Sequence, residues 1–274
     1  MIAIDKMGEG EPLVLLHGVG ASRAVWERVA PRLAADRLVL TPDLPGFGES
    51  SPAGPGFDLE RVAGVLADGL AERAGQPFDL LRNSLGGAVA LQLAVLRPEL
   101  VRGLVLAAPA GFSLAPTPLA FGAGTIIGPA ITLRRILGAQ LVGSPTVRRA
   151  LLWGAIAEPG RLSADDARTM LRGSRGSTRV GPATSAVLRA DLSGLLEGLE
   201  PPLGLIWGRR DRVVPIRTMG VIRAIRPDVV VETLADAAHV PQLERPTEFV
   251  AALRRVLARL PQSLDRHNSV RARR

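Results

Sequence analysis

The sequence predicts an α/β fold, in which a mostly parallel sheet is covered by helices on both faces. Short apolar segments alternate along the chain with longer segments of helical periodicity, as expected for repeated strand–helix units. The short segments are apolar at almost every position, which is typical of parallel strands buried on both sides. The 274 residues, 47% of them hydrophobic, can form one large domain with an insertion or two small domains.

Four strands are predicted in the first half of the chain, at residues 13–16, 38–40, 78–81 and 104–107. Apolar residues at helical spacing lie between them, at Val25, Trp26, Val29 and Leu33, and again at Leu59, Val62, Leu66 and Leu70. A third helix is predicted from Ala88 to a stop near Arg97 and Pro98. The prolines and glycines of "TPDLPGFGES" predict a loop after the second strand.

The alternation resumes near residue 199. Strands are predicted at 203–207 and 229–233, and helices around 218–225 and 246–260. We therefore expect residues 1–110 and 199–262 to form the core domain. The connections between parallel strands of one sheet are right-handed, and functional sites in such folds lie beyond the carboxyl ends of the strands.

Residues 111–198 interrupt this pattern. They are rich in Pro, Gly and Ala, contain helical segments such as "PTVRRALLWGAIAE", and include no convincing strand. Arginines alternate there with apolar residues, at Arg148, Arg149, Arg161 and Arg172. We interpret this segment as a helical lid inserted over the strand ends.

The formal net charge of +8 does not by itself indicate a nucleic-acid partner. The excess is scattered and almost entirely arginine, since Lys6 is the only lysine. Aromatic residues make up 3% of the chain and tyrosine is absent, so side chains that could stack on bases are scarce. The basic end, residues 263–274, is expected to be a frayed and solvated tail.

Neither export nor membrane insertion is predicted. The opening "MIAIDKMGEGEP" lacks a basic start followed by an apolar run, and the chain has no cysteine, so we expect a cytoplasmic protein without disulfides. Residues 103–133 are uncharged, but prolines interrupt them, and a proline inside a helix costs about 3 kcal/mol. A buried strand followed by an apolar part of the lid is the better interpretation.

Ser84 stands where a predicted strand meets a predicted helix, in "LLRNSLGGAVAL" (residues 80–91). A serine in this context can be an exposed nucleophile on a sharp turn, or an ordinary helix N-cap. The helix that follows would supply backbone N–H groups and the positive end of its dipole to a developing oxyanion. The pattern around Ser84 alone leaves both alternatives open.

A serine nucleophile needs a base, and histidine suits this task near neutral pH. His239 lies in a loop after the last predicted strand, whereas His267 is in the tail and His17 directly follows the first core strand. The base needs an acid, and Asp211 follows the penultimate strand. The alternatives are a structural histidine at position 239 and, at position 211, a surface carboxylate paired with a neighbouring arginine.

Two backbone N–H groups must converge to form an oxyanion hole. Leu85, after the nucleophile, is expected to provide one, and Val19 in "HGVG" the other. Asp43 is expected to bind its own loop rather than react. Two further features need support: the sharp turn at Ser84, called the elbow below, and the "HGVG" segment, called the oxyanion loop. The residues expected to support them are His17, Gly18, Asn83 and Gly86.

Taken together, the motifs resemble the α/β-hydrolase superfamily, in its branch of serine esterases and C–C hydrolases. The segments "LLHGVG", "PDLPGFGES", "NSLGGAVALQLA", "LIWGRRDRVVP" and "AAHVPQLERPTEFV" occur in the family order and spacing. The chain order Ser84, Asp211, His239 is also that of the family. The resemblance implies an eight-stranded, mostly parallel sheet with the lid inserted after the sixth strand, and no metal or organic cofactor.

Arg82 departs from the family pattern, which has a small residue two positions before the nucleophile because strand and helix pack closely there. Gly86 meets the matching requirement on the other side. The arginine could hold its head in water, or it could open the turn and displace Ser84. We predict a folded but slow enzyme, and we expect Arg82→Gly to raise its turnover.

We predict a serine hydrolase that cleaves a carboxylic ester through an acyl-enzyme. The uncharged residues 112–133 favour a small, apolar substrate with a lipophilic acyl or aryl group. One alternative is a C–C bond hydrolase of ring-fission diketones, although Val240 stands where those relatives usually carry Trp. The other, favoured by Arg82, is a ligand-binding protein of the same fold without catalysis.

Overall fold

The computed structural model describes residues 1–112, 138–172 and 179–261. Its strands form one sheet in the order β1-β3-β2-β4-β5-β6-β7. They are β1 (Ile4–Met7), β2 (Pro12–Leu16), β3 (Leu38–Pro42), β4 (Phe78–Asn83), β5 (Val101–Ala107), β6 (Leu203–Gly208) and β7 (Val230–Leu234). All neighbouring pairs are parallel except β1 and β3. The predicted mostly parallel sheet is confirmed.

The sheet has seven strands among the described residues, so the expectation of eight was wrong. The insertion accordingly follows the fifth strand and not the sixth. Strand β1 was not predicted from the sequence, because this antiparallel edge strand exposes most of its side chains and carries no apolar run.

Helices cover both faces of the sheet, as predicted. They are α1 (Ala30–Leu33), α2 (Leu59–Ala74), α3 (Gly87–Leu96), α4 (Pro145–Leu151), α5 (Ala164–Arg172), α6 (Val180–Arg189), α7 (Leu192–Glu197), α8 (Met219–Ile225), α9 (Pro241–Glu244) and α10 (Pro246–Arg259). Apolar side chains of α2, α3, α7 and α8 pack on one face in a single cluster. Those of α1 and α10 belong to the cluster on the other face.

The helices begin and end at recognisable residues. Asp58 caps α2 by accepting a hydrogen bond from the Arg61 amide, and Gly75, with φ of 69°, ends it. The segment "PTVRRALLWGAIAE" is helical only in its first half, because α4 ends at Leu151 and Gly154 adopts a φ of 85°. Its predicted helix was therefore too long at the carboxyl end.

The described part of residues 111–198 contributes α4 to α7 and no strand of the sheet. Its role as a lid stays a prediction. Most of the uncharged segment (residues 113–133) and the whole tail (residues 263–274) lie outside the described residues. Within the described ranges, no helix is both long and apolar enough to cross a membrane.

Candidate active site

Ser84 lies on a sharp turn between β4 and α3. It opens a short 3-10 turn, Ser84–Gly86, and its φ of 60° is in the left-handed region that residues other than glycine rarely occupy. The N-cap of α3 is Gly86, and no side chain caps the helix. The N-cap interpretation of Ser84 was therefore wrong, and the strained turn is the geometry expected of a nucleophile elbow.

Three side chains that are distant in sequence meet at this turn. His239 Nε2 lies 2.7 Å from Ser84 Oγ, and His239 Nδ1 lies 2.8 Å from Asp211 Oδ2. The carboxylate can only accept, so Nδ1 carries the proton and donates it, and Nε2 is left free to accept from the serine hydroxyl. His239 and Asp211 are each 6% exposed. The arrangement can therefore take a proton from Ser84 in a site largely shielded from water.

The Asp211 carboxylate is held by backbone as well as by His239. Its Oδ1 accepts hydrogen bonds from the amides of Val213 at 2.8 Å and Val214 at 2.9 Å. Among the described residues its only ion-pair partner is His239. The alternative of a surface carboxylate paired with one of its neighbours, such as Arg209, was therefore wrong.

The "HGVG" loop packs directly against the elbow. A Cβ at Gly86 would lie 2.5 Å from the carbonyl oxygen of His17, so only glycine fits there. A Cβ at Gly18 would lie 3.3 Å from Ser84 Cβ. Val19 follows Gly18 and Leu85 follows Ser84, so their amides stand next to the contact between the two turns. Their predicted role in an oxyanion hole stays a proposal.

His17 fixes the loop from within the core. Its Nε2 accepts a hydrogen bond from the Leu44 amide at 2.9 Å, so Nδ1 carries the proton and donates to the Gly18 carbonyl at 2.8 Å. Asp43 accepts from the amides of Arg23 at 2.8 Å and Glu49 at 2.9 Å. It binds its own loop, as expected.

Asn83 connects the elbow to the loop that carries the base. Its side-chain amide donates to the carbonyl of His239 at 3.0 Å and to that of Ala107 at 3.3 Å. Asn83 and Ala107 are also partners in the register of β4 and β5. Asn83 therefore joins the ends of two strands to the backbone of His239, consistent with its predicted supporting position.

Arg82 is completely buried, with 0% of its surface exposed, so its head is not in water. Within the described residues none of its three guanidinium nitrogens has a hydrogen-bond partner. Burial lowers the pKa of Arg82 to about 9. The turn is not opened, because Ser84 still lies within hydrogen-bond distance of His239. Both expectations for Arg82 were therefore wrong, since its head is not in water and it has not displaced Ser84.

Glu244, at the end of α9, was not predicted from the sequence. Its carboxylate accepts hydrogen bonds from the amides of Ala238 and Val240, on either side of His239, and from Ala157. Burial raises the pKa of the Glu244 carboxyl, against the opposing effect of these amides. No local pattern marks this residue, because one of its partners is 87 positions away in sequence.

Known proteins resemble this chain in sequence and in fold. A profile described as "Alpha/beta hydrolase family" matches residues 13–253. Pimeloyl-[acyl-carrier protein] methyl ester esterase of Chromobacterium violaceum is 32% identical over 262 residues, which cover 91% of this chain and 95% of that protein. Among solved structures, a thermophilic esterase from Thermogutta terrifontis has a TM-score of 0.74 at 25% identity, covering 94% of this chain and 93% of that one. A bacterial membrane phospholipase A has a TM-score of 0.73 at 29% identity, and the match covers 94% of this chain and 82% of that one.

Proposed function

This chain belongs to the alpha/beta hydrolase family and is an esterase-type enzyme of that fold, and we propose that Ser84, His239 and Asp211 form its catalytic triad. The observation that carries the proposal is the continuous hydrogen-bonded path from Asp211 through His239 to the hydroxyl of Ser84. This is the arrangement by which an imidazole activates a serine alcohol.

In the proposed reaction, His239 Nε2 takes the proton of Ser84 Oγ as that oxygen attacks the acyl carbonyl. The amides of Val19 and Leu85 hold the oxyanion, and Asp211 stabilises the imidazolium. His239 then protonates the leaving alcohol, which departs as the acyl-enzyme forms. Water, deprotonated by His239, then attacks the acyl-enzyme. The acid is released as His239 returns the proton to Ser84 Oγ, which restores the free serine.

A fluorophosphonate probe tests the catalytic assignment. We expect covalent labelling that maps to Ser84 by mass spectrometry and is lost in Ser84→Ala and His239→Ala. Labelling at another residue would contradict the assignment, and no labelling of folded protein would favour the non-catalytic binding protein. Loss of colour of a ring-fission dienoate, without hydrolysis of simple esters, would favour the C–C hydrolase.

For the substrate, we propose an ester with a lipophilic acyl or aryl group. The uncharged segment 112–133 supports this, because it begins five residues after Ala107, the register partner of Asn83 beside the nucleophile. The chain therefore enters this segment from the edge of the sheet that also carries Ser84. In a series of p-nitrophenyl esters we expect kcat/KM to rise with acyl chain length, and a preference for acetate would contradict this.

A second candidate substrate is a methyl ester on an acyl chain joined to a carrier protein. It is favoured by the name of the relative that is 32% identical over nearly the whole chain. The test compares a medium-chain dicarboxylate monomethyl ester, free and attached to an acyl-carrier protein. A kcat/KM at least tenfold higher for the attached form would support this candidate, and equal values would leave the simple ester as the better proposal.

A further inference from the structure

The candidate base lies in a connection without regular secondary structure. Residues 235–240 link β7 to α9, so neither a helix nor a strand fixes the backbone of His239. The burial of Ala237 and Val240 in an apolar cluster and several individual hydrogen bonds hold the loop instead. The amide of His239 donates to the carbonyl of Ala155 at 3.0 Å, and its carbonyl accepts from Asn83 Nδ2 at 3.0 Å.

The carboxylate of Glu244 completes this set of contacts. Its Oε1 accepts from the amide of Ala238 at 2.9 Å and that of Val240 at 3.3 Å, the two residues that flank His239. Its Oε2 accepts from the amide of Ala157 at 2.6 Å. One side chain therefore binds the base-carrying loop with one oxygen and residues 154–157 with the other.

Residues 154–157 also contact the loop that carries the acid. The amide of Arg212, next to Asp211, donates to the carbonyl of Gly154 at 3.3 Å. The buried side chain of Ile156, 4% exposed, anchors the segment in one of the two apolar clusters. This short stretch of the insertion is thus bonded to the loops of both Asp211 and His239.

We propose that Glu244 is a positioning residue that sets the place of the His239 imidazole and couples it to residues 154–157. The inference rests on the proposed function, in which His239 is the base. A misplacement of the reacting groups by about 1 Å can cost on the order of 100-fold in rate. Loss of the Glu244 carboxylate would remove a hydrogen bond from both neighbours of His239 at once.

The chemistry of the side chain suits this role. A carboxylate has only acceptors on both oxygens, so it can satisfy three amide donors that converge from two directions, and such charge-assisted bonds are stronger than neutral ones. A glutamine has one acceptor oxygen, and its NH₂ group would face an amide donor. Glu244→Gln therefore keeps the size of the side chain but can serve only one of the two segments.

The test compares Glu244→Gln and Glu244→Ala with Glu248→Gln, a matched control. Glu248 lies on the exposed first turn of α10, and its variant makes the same change of charge four residues away. We would measure the rate constant and the final stoichiometry of fluorophosphonate labelling, together with kcat and KM for a p-nitrophenyl ester. Hydrogen exchange of the full-length protein gives a readout independent of activity.

We expect full final labelling in both Glu244 variants, but with the labelling rate and kcat lowered by about 10- to 100-fold in Glu244→Ala, and less in Glu244→Gln. KM should change little, Glu248→Gln should match the wild type, and hydrogen exchange should rise in residues 154–157 and 236–240.

Wild-type rates in both Glu244 variants would overturn the inference. So would a fall in labelled fraction at an unchanged rate per labelled site, which indicates only misfolding. Wild-type protein that does not react at Ser84 would instead overturn the proposed function.

Discussion

The guanidinium of Arg82 lies directly against Gly87, in the first turn of the helix behind the elbow. A Cβ at Gly87 would overlap the guanidinium carbon and both terminal nitrogens of Arg82. The strand and the helix therefore accommodate an arginine two residues before Ser84 because the helix has a glycine opposite it. Among the described residues, Arg82 thus has space beside Gly87 but no hydrogen-bond partner for its guanidinium.

Replacement of Arg82 by methionine is expected to stabilise the protein. Arg82 is fully buried with no hydrogen-bond partner among the described residues, and replacing buried ionic groups by apolar side chains of similar volume can stabilise proteins by about 1–4 kcal/mol. Urea unfolding of wild type and Arg82→Met would measure the difference. A lower free energy of unfolding in the variant would show that the guanidinium has a favourable partner in the folded protein.

Arg82→Gly is not expected to raise turnover, because the elbow needs no repair. The hydroxyl of Ser84 already lies 2.7 Å from His239 Nε2, so the arginine has not displaced it. We expect kcat/KM of Arg82→Gly within about threefold of wild type, since the reacting groups keep their geometry. An increase of tenfold or more, measured with a p-nitrophenyl ester, would indicate that the arginine does impair the elbow.

The stability of the wild type should depend on pH through Arg82. Burial lowers its pKa in the folded protein to about 9, so above that pH the unfolded chain binds more protons than the folded one. The free energy of unfolding therefore rises with pH, by about 1 kcal/mol between pH 8 and pH 10. Tyrosine and cysteine are absent and Lys6 is the only lysine, so few other side chains titrate in this window.

The measurement is urea unfolding at pH 8 and pH 10 in wild type and in Arg82→Met. The rise should be present in the wild type and absent from the variant. Equal pH dependence in the two proteins would show that the guanidinium stays charged throughout.

Gly87→Ala should be destabilising only while Arg82 is present. In the wild type the new methyl group has no room beside the buried guanidinium, and overpacking of this kind costs about 1–3 kcal/mol. In an Arg82→Gly background the space is empty and the cost should largely disappear. Chemical unfolding of the four proteins of this double-mutant cycle gives the coupling energy, and additive effects would contradict the contact.

Asp211→Asn tests the protonation state of the proposed base. The amide keeps the size of the side chain, but its NH₂ group can donate to His239 Nδ1 and so favour the wrong tautomer. We expect kcat to fall by on the order of 10⁴-fold, with the folded structure retained. Activity within tenfold of wild type in the p-nitrophenyl assay would contradict the role of Asp211.

Most of the sheet and the meeting of Ser84, Asp211 and His239 could be predicted, because buried parallel strands are apolar throughout and their carboxyl ends share one edge. Strand β1 could not, because an edge strand with exposed side chains has no such signal. The burial of Arg82 depended on Gly87, five positions away across the turn. The role proposed for Glu244 depends on Ala157, whose approach to the His239 loop is a property of the folded chain alone.

The hydrogen bonds from residues 154–157 to both triad-bearing loops have a consequence for the architecture of the enzyme. A shortened protein, with residues 111–198 replaced by a brief linker, would still contain every residue proposed to react. We still expect it to be a poor catalyst, because the loops of Asp211 and His239 would each lose a backbone hydrogen bond to residues 154–157. On the proposed function, the inserted segment therefore contributes to the active site, and we expect that exchanging it to change substrate preference would also lower the rate.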